Sequence, residues 1–238
     1  MKENHKDASA IEAQTQECNI EQEVEFGVVY RWQHWIRALS IVVLIITGFY
    51  IAEPIITPIP SAQPDNFMYA LFRSWHIIFG FLLTALIFIK LYRFLFVSKN
   101  QMEREALKDI VNIKVWLQQI GYYLLISKHP KLKGVYNPLQ FTAYFAFYLM
   151  MFLLIITGFV LYVHVYHNGL GTFMYEPMRA VEAMMGGLAM VREIHHIAMW
   201  GVILFILGHI YMAIYNAVFV KEGAMDAIFS GIKWHKKH

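Results

Sequence analysis

The sequence predicts an all-α integral membrane protein, a bundle of four transmembrane helices. Three observations carry this: the composition, four apolar runs of membrane length, and the placement of Lys and Arg between them. Of 238 residues, 58% are hydrophobic and only 16% charged, against about 45–50% and about 25% in soluble domains. That balance excludes a disordered or collagen-like chain. A formal net charge of only +3 argues against a nucleic-acid binder, which needs a strongly basic face.

Residues 1–25 are polar and rich in acidic groups. They read as a disordered cytoplasmic tail. They do not read as a secretory signal, because an acidic stretch precedes the first apolar run. The apolar runs then cover about Trp35 to Ala52, Trp75 to Val97 (reaching back to Phe67), Phe141 to Val163, and Ile197 to Val220 with a helical lead-in from Val191. Each is long enough to cross the hydrocarbon core as a helix and too long, without alternation, to be a strand. The four-span domain is therefore expected over residues 26–220. Between spans two and three, Met102, Ala106, Leu107, Ile110, Val111, Lys114 and Leu117 recur at helical spacing. They predict a cytoplasmic interfacial helix with its apolar face on the membrane. Residues 221–238 repeat the device as an amphipathic cytoplasmic tail, through Met225, Ile228, Phe229 and Ile232.

Orientation follows from the basic residues. The segment joining spans two and three holds Arg93, Lys99, Arg104, Lys108, Lys114, Lys128, Lys131 and Lys133, and the tail holds Lys221, Lys233, Lys236 and Lys237. The other two loops hold Arg73, Arg179 and Arg192. The positive-inside rule then puts both termini and the central segment in the cytoplasm. Spans one and three run outward, two and four inward.

One cysteine, Cys18, against eleven histidines excludes a disulfide within the chain, covalent attachment of haem through Cys-x-x-Cys-His, and a cluster held by several thiolates of this chain. Imidazole is left as the candidate ligand. Ionisable residues inside spans are costly and mark function. His34, His76, His195 and His209 are the ones that stand out. His195 and His209 are 14 residues apart on span four, which places them within about 40° of one face and about 21 Å apart along the axis. His196 falls on nearly the opposite face and is expected to meet a loop, solvent or a subunit. By topology His76 and His195 lie near the outer surface, His34 and His209 near the inner one. Each pair joins two helices, as the axial ligands of a six-coordinate haem iron do. Metal-ion transport is the competing reading, although carboxylates, which such a site favours, are nearly missing from the spans. A Met-rich copper site in the outer loop is weaker still, since methionine there suits flexible apolar packing. A short repeat, Leu44-Ile-Ile-Thr47-Gly48-Phe49 and Leu154-Ile-Ile-Thr157-Gly158-Phe159, reads as close helix packing or room for a flat ligand.

Arg31-Trp32-Gln33-His34-Trp35 with Ser40 and Thr47-Gly48 resembles the first signature of the b-type cytochrome subunits of membrane-bound nickel–iron hydrogenases. Arg192-Glu-Ile-His195-His196-Ile-Ala-Met-Trp200 with Phe205 and Gly208-His209 resembles the second. Glu193 stands where that pattern has a small residue, a departure not expected to disturb ligation. The resemblance runs through all four spans in order. It implies two non-covalent haem b groups, with His34, His76, His195 and His209 as iron ligands. It implies a bacterial inner-membrane subunit that anchors a periplasmic hydrogenase. Electrons would pass from its iron–sulfur small subunit, and through that from the nickel–iron large subunit, to membrane quinone (menaquinone or ubiquinone). The chain has no hydrogen-splitting site of its own. The cytochrome subunit of membrane formate dehydrogenases is the nearest alternative, with a metal-ion transporter and a cofactor-free anchor behind it.

Further residues are expected to serve these roles. Tyr122, Tyr123, His129 and Gln140 are candidates for a cytoplasmic-side quinone site. Arg31, Arg37, Arg73 and Arg192 are candidate propionate partners. Gly48 and Gly80 are expected on haem-facing sides. The loop from His164 to Arg192, with Tyr166, His167, Phe173, Met174, Tyr175, Met178, Met184 and Met185, is too apolar for a free loop and is expected to dock the iron–sulfur subunit.

Overall fold

A computed structural model describes residues 20–24, 26–55, 67–97, 109–123, 126, 137–220 and 224–236. Among the described residues four helices are long and apolar enough to cross a membrane: α1 (Val28–Ala52), α2 (Met68–Phe96), α4 (Pro138–Val163) and α6 (Leu188–Tyr215). A shorter helix, α3 (Ile113–Tyr123), precedes α4, and α5 (Leu170–Met184) lies between α4 and α6. A π-helical turn, Asn216–Val220, follows α6, and α7 (Ala224–Ser230) follows that.

The long helices are inverted relative to soluble ones. In α1 the buried residues are Ser40, Thr47 and Tyr50, while Leu39, Val42, Ile46 and Phe49 face outward. In α6 Val191, Ala198 and Val202 are buried, and Ile197, Trp200 and Leu204 are exposed. Water would not tolerate such stripes, but lipid is as apolar as they are, so Ser40, Thr47 and Ala198 can take inward positions, whereas α2 buries Leu83, Leu86 and Ile87. A Cβ at Gly201 would collide with the sulfur of Met150, so this glycine lets α6 approach α4. A capping box starts α4: Asn137 accepts from the Gln140 amide at 2.8 Å, and Gln140 Oε1 accepts from the Asn137 amide at 3.2 Å.

The chain divides into two compact units, Leu39–Phe205 and a second made of Met1–Ala38 with Ile206–His238. In the second, β1 (Ile20–Val24) pairs antiparallel with β2 (Ile232–Lys236), from Ile20 opposite Lys236 to Val24 opposite Ile232. Beside the strands, Arg31 donates to the Phe229 carbonyl, Trp35 Nε1 to that of Ile228 at 3.4 Å, and the Trp35 and Phe229 rings lie 4.8 Å apart. Gly231 makes the turn at φ 89°, where a side chain would be strained and would press on the Phe26 carbonyl.

Three expectations change. The segments taken as a disordered tail and an amphipathic tail contribute the two strands, so Ile232 extends a strand and the α7 pattern ends at Ser230. Each strand is of ordinary length, but a lone two-stranded ribbon is marginal and neither segment shows its distant partner in the sequence. The outer loop is mostly helix α5, ended by Gly186 and Gly187 at φ 92° and 95°. Pro177 lies inside it, which is what hides a helix in a sequence scan. Span one begins at Val28, ahead of the apolar run.

Candidate cofactor site

The unit Leu39–Phe205 brings His76 of α2 and His195 of α6 together, with ring centroids 6.5 Å apart and planes 57° apart. The other unit brings His34 of α1 and His209 of α6 to 6.4 Å, with planes at 44°. These are the two pairs expected from depth and helix phase. His196 is exposed, as the helix phase requires.

The separations discriminate between two uses of a facing imidazole pair. A direct N–H···N bond of about 2.9 Å, with each nitrogen about 1.1 Å from its ring centre, puts centroids about 5.1 Å apart. One metal ion between the rings, at about 2.0 Å from each nitrogen, puts them about 6.2 Å apart. Both pairs lie nearer the second figure, a separation that leaves room for an ion between the rings. Among the described residues no three or more His, Cys, Asp or Glu converge as a metal-binding group. Two imidazoles alone suit an ion whose remaining ligands come from a macrocycle, not a protein cage of three or four ligands.

The surroundings of the upper-sequence repeat fit the same reading. Thr47 Oγ1 is 2.8 Å from His76 Nδ1, and Thr157 Oγ1 is 2.7 Å from His195 Nδ1. The next residue in each case is glycine. A Cβ at Gly48 would lie 3.4 Å from His76 Cε1, and one at Gly158 would lie 3.7 Å from His195 Cε1. Gly80 has open space beside it. His34 Nδ1 is buried without a hydrogen-bond partner among the described residues.

The other expected residues are less uniform. Arg31 is engaged with the Phe229 carbonyl. Arg37 Nε donates to the Gln33 carbonyl at 3.1 Å. Arg73 lies over the Tyr166 ring at 5.9 Å, and Arg192 is exposed. Gln140 spends its amide oxygen on the α4 cap. Tyr122 and Tyr123 end α3, their side chains lying outside the described residues, as does His129 altogether. Within α3 Val115 and Gln119 are buried and Ile113 and Leu117 exposed, as is Val111 just before it. Residues 102–107 of the interfacial pattern also lie outside the described residues.

Two features escaped the sequence reading. Gln119 is 1% exposed, and neither end of its amide has a partner among the described residues. Glu182 is buried on α5, with His164 Nε2 at 2.5 Å and Arg179 Nη1 at 2.6 Å. The His164 hydrogen bond first, and then that of Arg179, hold its carboxyl below the usual carboxylate range against the opposing effect of burial. A lone acidic residue in a loop gives no sequence signal of such a network, because its partners come from the end of α4 and one turn back on α5.

Four apolar helices and two facing imidazole pairs define the class of transmembrane b-type cytochromes. The chain belongs to the prokaryotic cytochrome b561 family, whose model matches residues 25–231. Membership in a b-type cytochrome family implies haem b as the cofactor. It is 30% identical to the probable Ni/Fe-hydrogenase 1 B-type cytochrome subunit of Escherichia coli K12, over 92% of this chain and 93% of that one. It is also 30% identical to the probable Ni/Fe-hydrogenase B-type cytochrome subunit of Azotobacter vinelandii, over 87% and 86%, and 28% identical to that of Rhizobium leguminosarum bv. viciae, over 85% of both.

Proposed function

We propose that this chain is the dihaem membrane subunit of a nickel–iron hydrogenase complex. It anchors the enzyme's iron–sulfur small subunit at the outer face of the bacterial inner membrane and passes electrons from hydrogen oxidation to quinone. The observation that carries the reading is the pair of imidazole pairs at 6.4 and 6.5 Å in a chain of b-type cytochrome ancestry. The names of the relatives supply the hydrogenase.

His76 with His195, and His34 with His209, hold one haem b each. Bound haem supplies reversible one-electron chemistry at iron. The protein's part would be to hold one imidazole nitrogen of each histidine for the iron and to exclude water. Arg31, Arg37, Arg73 and Arg192 are the guanidinium groups offered to the propionates. Gly48 and Gly80 give the macrocycle room. Quinone reacts on the cytoplasmic side, where Tyr122, Tyr123, His129 and the Gln140 amide nitrogen offer hydrogen-bond donors and His129 a titratable relay. The Gln119 amide, without a partner among the described residues and on the same helix as the tyrosines, supports a polar ligand there. Both termini lie in the cytoplasm, and α5 with its flanks meets the iron–sulfur subunit.

Proteoliposomes holding the purified complex and quinone test this. Hydrogen reduces both haems, then quinone, and a potential develops that is negative on the cytoplasmic side. Reduction by formate and never by hydrogen would transfer the chain to a formate dehydrogenase. Reduction by neither would remove the partner assignment.

A further inference from the structure

Threonine in an apolar helix has a default use for its hydroxyl proton, the carbonyl one turn back. Thr84 donates to Gly80 at 2.7 Å and Thr142 to Pro138 at 2.8 Å in this way. Thr47 does the same to Val43 at 2.7 Å, and Thr157 to Leu153 at 2.7 Å. Thr47 and Thr157 differ from the other two in that an imidazole Nδ1 also sits at 2.8 and 2.7 Å from the same oxygen. A hydroxyl carries one proton. With that proton committed to the backbone, the oxygen can only accept, so the hydrogen in each short contact belongs to Nδ1. Both threonines are buried, so water does not compete for the oxygen.

We propose that Thr47 and Thr157 are positioning residues that hold His76 and His195 in the Nδ1–H tautomer, leaving both Nε2 lone pairs for the iron. This rests on the dihaem reading above. The repeated Leu-Ile-Ile-Thr-Gly-Phe segment thereby gains a function beyond packing. On α1 and again on α4, its threonine takes the Nδ1–H of a histidine on a neighbouring helix, and its glycine clears space beside Cε1 of the same ring. A hydrogen bond at Nδ1 fixes ring rotation and makes the imidazole a stronger donor, which favours ferric iron.

The test uses the intact complex carrying Thr47→Val, Thr47→Ser, Thr157→Val or Thr157→Ser. Each valine variant keeps the size and loses the acceptor. The midpoint potential of one haem rises and its low-spin EPR signal shifts, while the other haem is unchanged; serine restores both. Loss of one haem from the valine variant with retention in the serine variant supports the same role. A valine variant with wild-type potential and EPR signal, or a serine variant as altered as valine, overturns it. Should neither valine variant assemble, the wild type still decides: pulsed EPR of the remote nitrogens must report hydrogen-bonded Nδ1–H on both ligands of one haem, and unbonded values overturn the proposal. A wild type without haem refutes the dihaem reading itself, a separate outcome.

Discussion

At the residue scale, each of the four histidines has an assigned partner, so each substitution has a distinct signature. His34→Met or His209→Met should alter one haem and spare the other, and His76→Met or His195→Met the reverse. Spectra of the separated haems check this; any of these variants with both haems unaltered contradicts the pairing. Gly48→Leu adds a branched side chain where even a Cβ sits 3.4 Å from His76. Overpacking of this kind costs about 1–3 kcal/mol, and the expected outcome is reduced occupancy of the His76/His195 haem. The histidines were legible in the sequence because a charged-or-polar group in a span is conspicuous and helix phase is arithmetic. The roles of Thr47 and Thr157 were not, because a hydroxyl in a membrane helix looks the same whether or not a ring nitrogen from another helix reaches it.

At the scale of elements, α5 is joined to the end of α4 by the network of His164, Arg179 and Glu182. Glu182 has a carboxyl pKa below the ordinary 4.5. A depressed pKa stabilises the fold fully above the unfolded value and ceases to do so as pH falls through the folded one. Amide exchange in residues 170–184 should therefore quicken on acidification below about 4.5, beyond its intrinsic pH dependence. Glu182→Gln should show raised exchange already at neutral pH, with little further change on acidification. Equal protection in wild type and variant would show that the network does not hold α5. This helix was read from sequence as a loop, since Pro177 and flanking glycines interrupt it; the four long helices were legible because twenty apolar residues in water have no alternative. The β1–β2 pair was invisible because its residues find their partners more than 200 positions away.

At the scale of the whole molecule, orientation decides which way electrons run. The only cysteine, Cys18, precedes the first span. A membrane-impermeant maleimide should label it in inverted vesicles and not in right-side-out ones; the opposite result would reverse the topology and the proposed direction of charge transfer. Family membership gives haem b, and the proposed use of the two imidazole pairs predicts its number. The most direct measurement is therefore a haem count by pyridine haemochrome on the purified subunit in its complex, with EPR of the oxidised form. The result expected is two haem b per chain, both low-spin with two imidazole ligands. One haem, or a high-spin signal from an iron lacking its second imidazole, would contradict the account.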